Sequence, residues 1–266
     1  MKTIIIKLGG SVITYKNSDP PSMNLELMRK ISLVLKSSMD KLDIRFIIIH
    51  GAGCFGHILA NNYEMTSPEW HPGKRDGAVK IRKSMESLNH SIVNCLTEVG
   101  LPAISFQTSS SCLLNNKQLV EFPLVLIEKF VNYGLVPVMY GDIAADVKTG
   151  IDILSGDQII SYLATKINPD LVLIGSDVDG VFSQDPSINP YAYKISRINS
   201  DKIQEITKGL SSSKYIDVTG GMAKKVTELL KIAKLGIPVC IFNAKNEENF
   251  EKILAGNENI GTWIYK

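Results

Sequence analysis

Apolar and polar positions fall into two registers along the chain. Short β-branched runs, Thr3-Ile4-Ile5-Ile6-Lys7-Leu8, Phe46-Ile47-Ile48-Ile49 and Val136-Pro137-Val138-Met139-Tyr140, read as strands buried on both faces. Residues 103–106 and 171–174 and the run Val239-Cys240-Ile241-Phe242-Asn243 continue that series, and Leu119-Val120-Glu121 reads as a hairpin strand. Between the strands the spacing turns helical. Leu25, Leu27, Met28, Ile31, Val34 and Leu35 mark a helix over 24–39, and further helices are expected over 53–63, 78–99, 123–133 and 156–166, and from about 217 to 235. The stretch 66–77, with two prolines and two glycines, predicts a loop.

Strand alternating with helix predicts an α/β protein: a doubly wound, mainly parallel sheet flanked by helices, in a three-layer αβα sandwich. No internal repeat interrupts it. The loops after Leu8 and after Ile49 then open on one edge of the sheet, where such folds bind ligands.

Those two loops carry candidate chemistry. His50-Gly51-Ala52-Gly53-Cys54-Phe55-Gly56-His57 pairs small residues, whose amides suit a phosphate, with His57, which can donate to the same anion. Lys7 stands in an otherwise apolar strand, where an ammonium needs an anionic partner, and Gly9-Gly10-Ser11 leaves backbone amides open to phosphate. Lys16 projects a second charge toward the same edge. Asp217-Val218-Thr219-Gly220-Gly221-Met222-Ala223-Lys224-Lys225 joins a glycine turn to a helix start with two lysines, which suits a polyphosphate. Asp157, after Ser155-Gly156, is placed to hold converging lysines apart or to cap a helix. Asp177 and Asp179 flank a strand exit and suit ribose, lysine, hydrated magnesium or a structural turn. Neither GxxxxGK[ST] nor GxGxxG is present, so a nucleotide is held in another way. Together the pieces fit phosphoryl transfer to an anionic acceptor, which needs no general base.

Composition narrows the partners. The 266 residues are 44% hydrophobic and 21% charged, with a net charge of only +2, which predicts a globular enzyme without a nucleic-acid surface. No apolar run is long enough to span a membrane, and the opening residues show no signal-peptide pattern, so a soluble cytoplasmic protein is expected. Cys54, Cys95, Cys112 and Cys240 have no metal-ligand spacing, and no dedicated metal site is predicted.

Lys7-Leu8-Gly9-Gly10-Ser11, Ser155-Gly156-Asp157, Asp177-Val178-Asp179-Gly180 and Thr219-Gly220-Gly221-Met222-Ala223-Lys224-Lys225 resemble, in order, the hallmarks of the amino acid kinase superfamily. Within it, the histidine-bearing loop and Lys16 are similar to the isopentenyl phosphate kinase family. The resemblance implies the amino acid kinase fold as one domain over 1–266, with an acceptor lobe over about 1–165 and a nucleotide lobe over about 166–266. It implies phosphorylation of isopentenyl phosphate with ATP and Mg2+ in an alternative mevalonate route, by a homodimer whose interface candidate is the helix over 78–99. It further implies that Lys7, Lys16 and Lys225, or Lys224 in its place, stabilise the moving phosphoryl group and that Asp157 orients the lysines. By the same resemblance, His57 with the Ala52 and Gly53 amides would bind the acceptor phosphate, beside Gly141, while Gly9, Gly10 and Ser11 would line the phosphates and Asp177, Asp179, Gly180 and Gly220 would approach nucleotide. The loop departs from the family at Ala52, usually glycine, and at Cys54; a positive φ at Ala52 would strain it. The rival reading is a fosfomycin kinase. The stripe Ile81, Met85, Leu88 and Ile92 favours an isoprenoid tail. A regulatory protein on the same fold would be expected to lack the charged set.

Overall fold

β1 (Lys2–Leu8) is apolar on both faces and lies inside the main sheet, with Ile4, Ile5, Ile6 and Leu8 at most 3% exposed. The computed structural model describes residues 1–16, 18–67, 69–186, 188–199 and 220–266. After β1 come α1 (Gly10–Ile13), α2 (Leu25–Lys41), β2 (Ile44–His50), α3 (Gly53–Asn62), α4 (Pro72–Glu98), β3 (Ala103–Ser105), β4 (Leu113–Asn115) and β5 (Gln118–Glu121). Then follow α5 (Leu124–Asn132), β6 (Val136–Tyr140), β7 (Asp142–Asp146), β8 (Gly150–Leu154), α6 (Gly156–Ile167), β9 (Leu171–Ser176), β10 (Val181–Phe182), β11 (Lys194–Ile195) and β12 (Arg197–Asn199). The described chain ends with α7 (Gly220–Ala233), β13 (Val239–Asn243), α8 (Glu248–Leu254) and β14 (Thr262–Tyr265).

Eight strands form one sheet in the order β12-β14-β13-β9-β1-β2-β6-β3, parallel from β13 to β3 and reversed at β14. Alternation along β1 sorts its side chains into two layers. Ile4, Ile6 and Leu8 join α2, α4 and α8 in one core, whereas Ile5 joins α5, α6 and α7 in the other. Lys7 shares the parity of Ile5, so it points toward the α6 layer. The three-layer α/β arrangement expected from periodicity is thus the one observed.

Three local readings need correction. α4 starts at Pro72 rather than at residue 78, because Pro72 occupies the first helical turn, where its missing N–H costs nothing. Gly77 belongs to the helix for a packing reason: a Cβ there would stand 2.5 Å from Cβ of Tyr63. A second sheet, β5-β4-β7-β8, contains the hairpin β7–β8, which the strand–helix alternation did not announce; α8 and β14 also went unpredicted. Among the described residues, no helix is long and apolar enough to cross a membrane.

Candidate active site

The turns after β1 and β2 meet at the carboxyl edge of the sheet. They approach so closely that a Cβ on Gly10 would stand 2.2 Å from the Gly53 nitrogen. Gly53 has φ +50, and its own Cβ would lie 2.1 Å from Oγ1 of Thr14, so both turns require glycine at their contact. Ala52 is helical, with φ −80 and ψ −33. The strain anticipated at Ala52 is therefore absent, because the left-handed position is the next residue. Thr14 locks the two turns, its Oγ1 donating to the Gly10 carbonyl at 2.8 Å and accepting from the Cys54 amide at 3.3 Å. Cys54 is buried, with Sγ 3.4 Å from Oγ of Ser18.

Charged residues converge beside these turns. Lys7, 8% exposed, donates to Oδ1 of Asp157 at 2.6 Å. A capping box between Ser155 and Gln158 builds the N-terminus of α6 and so presents Asp157. Lys16 pairs with Asp177 rather than Asp157, at 3.0 Å. The single carboxylate expected to orient both lysines is thus divided between two, because Lys16 follows α1 and reaches the end of β9. Burial alone would raise the Asp177 pKa, but the hydrogen bond and charge of Lys16, with Ser11, bring it below the usual value. Burial and then the neighbouring charge of Lys7 depress Lys225, against the pull of Asp157 and Asp177. Three lysines and two aspartates therefore share one electrostatic neighbourhood, suited to a polyanion.

A cavity of about 470 Å³ opens over this cluster. Lys7, Lys16, Asp157, Asp177 and Lys225 line it, with Gly9, Gly10 and Ser11. Ala52, Gly53, His57 and Gly141 line it too, together with Ile58, Ile81, Met85, Ile143 and Ile153 and, among them, the buried carboxyl of Asp142. The α4 stripe splits: Ile81 and Met85 reach the cavity, whereas Leu88 and Ile92 are core, since the helix rotates them onto the sheet. Ile143 and Ile153, which pair across β7–β8, add to that lining and were missed from sequence. Their signal was the period-two pattern of Ile151-Asp152-Ile153 after Gly150.

Not every candidate reaches the cavity. Asp179 is exposed and accepts from Nδ2 of Asn243 at 2.9 Å, and Gly180, φ +144, packs on Thr262. Gly220 opens α7. Residues 217–219 and the side chain of Lys224 lie outside the described residues.

A parallel sheet whose glycine turns frame a cavity with three lysines defines the class, and the chain belongs to the amino acid kinase family, whose profile matches residues 2–243. Two curated relatives sharpen the comparison. The isopentenyl phosphate kinase of Methanothermobacter thermautotrophicus is 34% identical over 268 residues, covering 98% of each chain. That of Methanocaldococcus jannaschii is 34% identical over 263 residues, covering 95% of each. A solved isopentenyl phosphate kinase superimposes with a TM-score of 0.85 at 31% identity, over 98% of this chain and 99% of the other.

Proposed function

We propose that this protein transfers the γ-phosphoryl group of ATP to isopentenyl phosphate, forming isopentenyl diphosphate. The observation that carries the reading is one cavity lined both by a lysine cluster and by the apolar side chains of Ile81, Met85, Ile143 and Ile153, with the His57 loop in the same lining. A short isoprenoid monophosphate matches that mixed lining, whereas a small polar phosphonate leaves the apolar side chains without a partner. The 34% identity to isopentenyl phosphate kinases supports the same choice.

In this reading Lys7, Lys16 and Lys225 neutralise charge on the moving phosphoryl group, and Asp157 orients Lys7. Asp177 holds Lys16 until phosphate takes its place. His57 and the Ala52 and Gly53 amides grip the acceptor phosphate beside Gly141, while Gly9, Gly10, Ser11 and Gly220 border the nucleotide. The acceptor is already an anion, so no side chain has to remove a proton. Mg2+ would come with the nucleotide, whose phosphate oxygens it favours, at a cavity whose lining carboxylates, Asp157 and Asp177, offer the oxygen donors it takes. The acceptor side draws on residues up to about 165 and the nucleotide side on those beyond, in a cytoplasmic homodimer of the mevalonate route whose interface includes α4.

The deciding experiment incubates purified protein with ATP, Mg2+ and, separately, isopentenyl phosphate, dimethylallyl phosphate and fosfomycin, with products read by ³¹P NMR. A diphosphate from isopentenyl phosphate is expected. Turnover of fosfomycin alone would overturn the reading.

A further inference from the structure

His50 lies behind the acceptor loop, outside the cavity lining. It ends β2, is 0% exposed, and stacks on Tyr140 with ring centroids 5.3 Å apart and planes at 18°. Both ring nitrogens are partnered. Nδ1 is 3.1 Å from the Gly51 carbonyl oxygen, and Nε2 is 3.2 Å from Nδ2 of Asn89. Asn89, 2% exposed, also directs Nδ2 at the Val138 carbonyl, 3.4 Å away, and its Oδ1 accepts from Oγ of Ser105 at 2.5 Å.

This network determines where the histidine proton sits. Turned over, the Asn89 amide would set its oxygen against the Val138 carbonyl, acceptor facing acceptor, so the amide orientation is unique. Nδ2 therefore donates to Nε2, which carries the lone pair, and the proton resides on Nδ1, donating to Gly51. Burial keeps the ring neutral, lowering its pKa to about 4 against the opposing Gly51 hydrogen bond.

The Gly51 carbonyl and the Ala52 N–H belong to one planar trans peptide and point in opposite directions. A bond that draws the Gly51 oxygen toward the core turns the Ala52 N–H outward, and Gly51, Ala52 and Gly53 all line the cavity. Asn89 stands four residues after Met85 and eight after Ile81 on α4. The helix that lends apolar side chains to the cavity thus also carries the link to the phosphate loop.

We infer that His50 and Asn89 are positioning residues, a buried pair locked in one tautomer that aims the Ala52 amide at the acceptor phosphate. This rests on the proposed function for the identity of the acceptor. Its test uses three substitutions in the full-length protein. His50→Phe retains the ring stack and loses both polar contacts, His50→Gln retains a partner for Asn89 alone, and His50→Asn retains a donor for Gly51.

The expected result is an acceptor KM raised about ten-fold in the Phe and Gln variants, with the ATP KM within about two-fold of wild type. The Asn variant should recover to within about three-fold of wild type. An unchanged acceptor KM in His50→Phe, or equal rises in both KM values, would overturn the inference. A second readout needs no acceptor: the ring ¹⁵N NMR pattern of His50 should report the Nδ1–H tautomer at neutral pH, and an Nε2–H or imidazolium pattern would overturn it. Inactivity of the wild type toward isopentenyl phosphate would strike the functional reading alone, because the tautomer is read independently.

Discussion

Lys7 shows what a single buried charge demands. At 8% exposure its ammonium needs an anion, which Asp157 supplies at 2.6 Å. Asp157→Asn weakens that hold and leaves Lys7 and Lys225 repelling each other; kcat should fall about 10²-fold or more, measured at saturating substrates. His57→Ala removes a donor to the acceptor phosphate, worth roughly 1.5–3 kcal/mol, and should lower kcat/KM for isopentenyl phosphate accordingly. Wild-type kinetics in that variant would assign His57 a structural role. Asp142, 3% exposed, offers a different test: burial raises its pKa to about 6 despite hydrogen bonds from the Ile143 amide and the Ser109 hydroxyl. The folded protein keeps this proton where the unfolded chain has lost it, so stability falls as pH rises from about 4 to about 6. Asp142→Asn removes that loss, on the order of 2–3 kcal/mol at most, and its Tm advantage over wild type should grow between pH 4 and pH 7. His50, whose pKa is lowered to about 4, has the opposite slope, which the comparison of variant with wild type cancels.

At the scale of elements, turns decide more than the helices and strands they join. Gly53→Ala puts a Cβ at φ +50, within 2.1 Å of Thr14 Oγ1, and should cost about 1–3 kcal/mol in urea unfolding while raising the acceptor KM. In the small sheet, Asp146 accepts from the amides of Asn116, Lys117, Lys148 and Thr149 at 2.6–3.2 Å, tying the β4–β5 turn to the β7–β8 turn. Burial opposes ionisation, but the four amides outweigh it and lower the pKa to about 2. Its contribution is present above the ordinary carboxylate range and is lost as pH falls toward about 2. The Lys117 carbonyl in turn accepts from Nε2 of Gln158 at 2.7 Å, so the hairpin braces the start of α6 beside Asp157. Asp146→Ala should lower stability by about 2–4 kcal/mol, read by urea unfolding at neutral pH.

Across the whole molecule, β1 pairs with β2 on one side and β9 on the other, so residues assigned to acceptor and nucleotide sides share one sheet. A sheet continuous through its central strand should melt as a unit. A single calorimetric transition, coincident with loss of activity, is expected; two separated transitions would show independent lobes.

The sequence alone determined what short range governs. Buried strands declared themselves by unbroken β-branched runs, α2 by helical spacing, α6 by its Ser155-Gly156-Asp157 cap, and the site's edge by glycine turns and a lysine inside an apolar strand. Some signals were ambiguous because one residue type serves two structures, as with Pro72 and Gly77, which mark a loop in sequence and a helix start in the fold. Only the tertiary structure decided partners. Lys7 meets Asp157 across 150 residues, Lys16 takes Asp177, and Ile143 and Ile153 reach the cavity wall. The reason is physical: periodicity is set by a residue's own backbone geometry, whereas the choice among carboxylates, and the tautomer of His50, depend on which distant groups packing brings within hydrogen-bond reach.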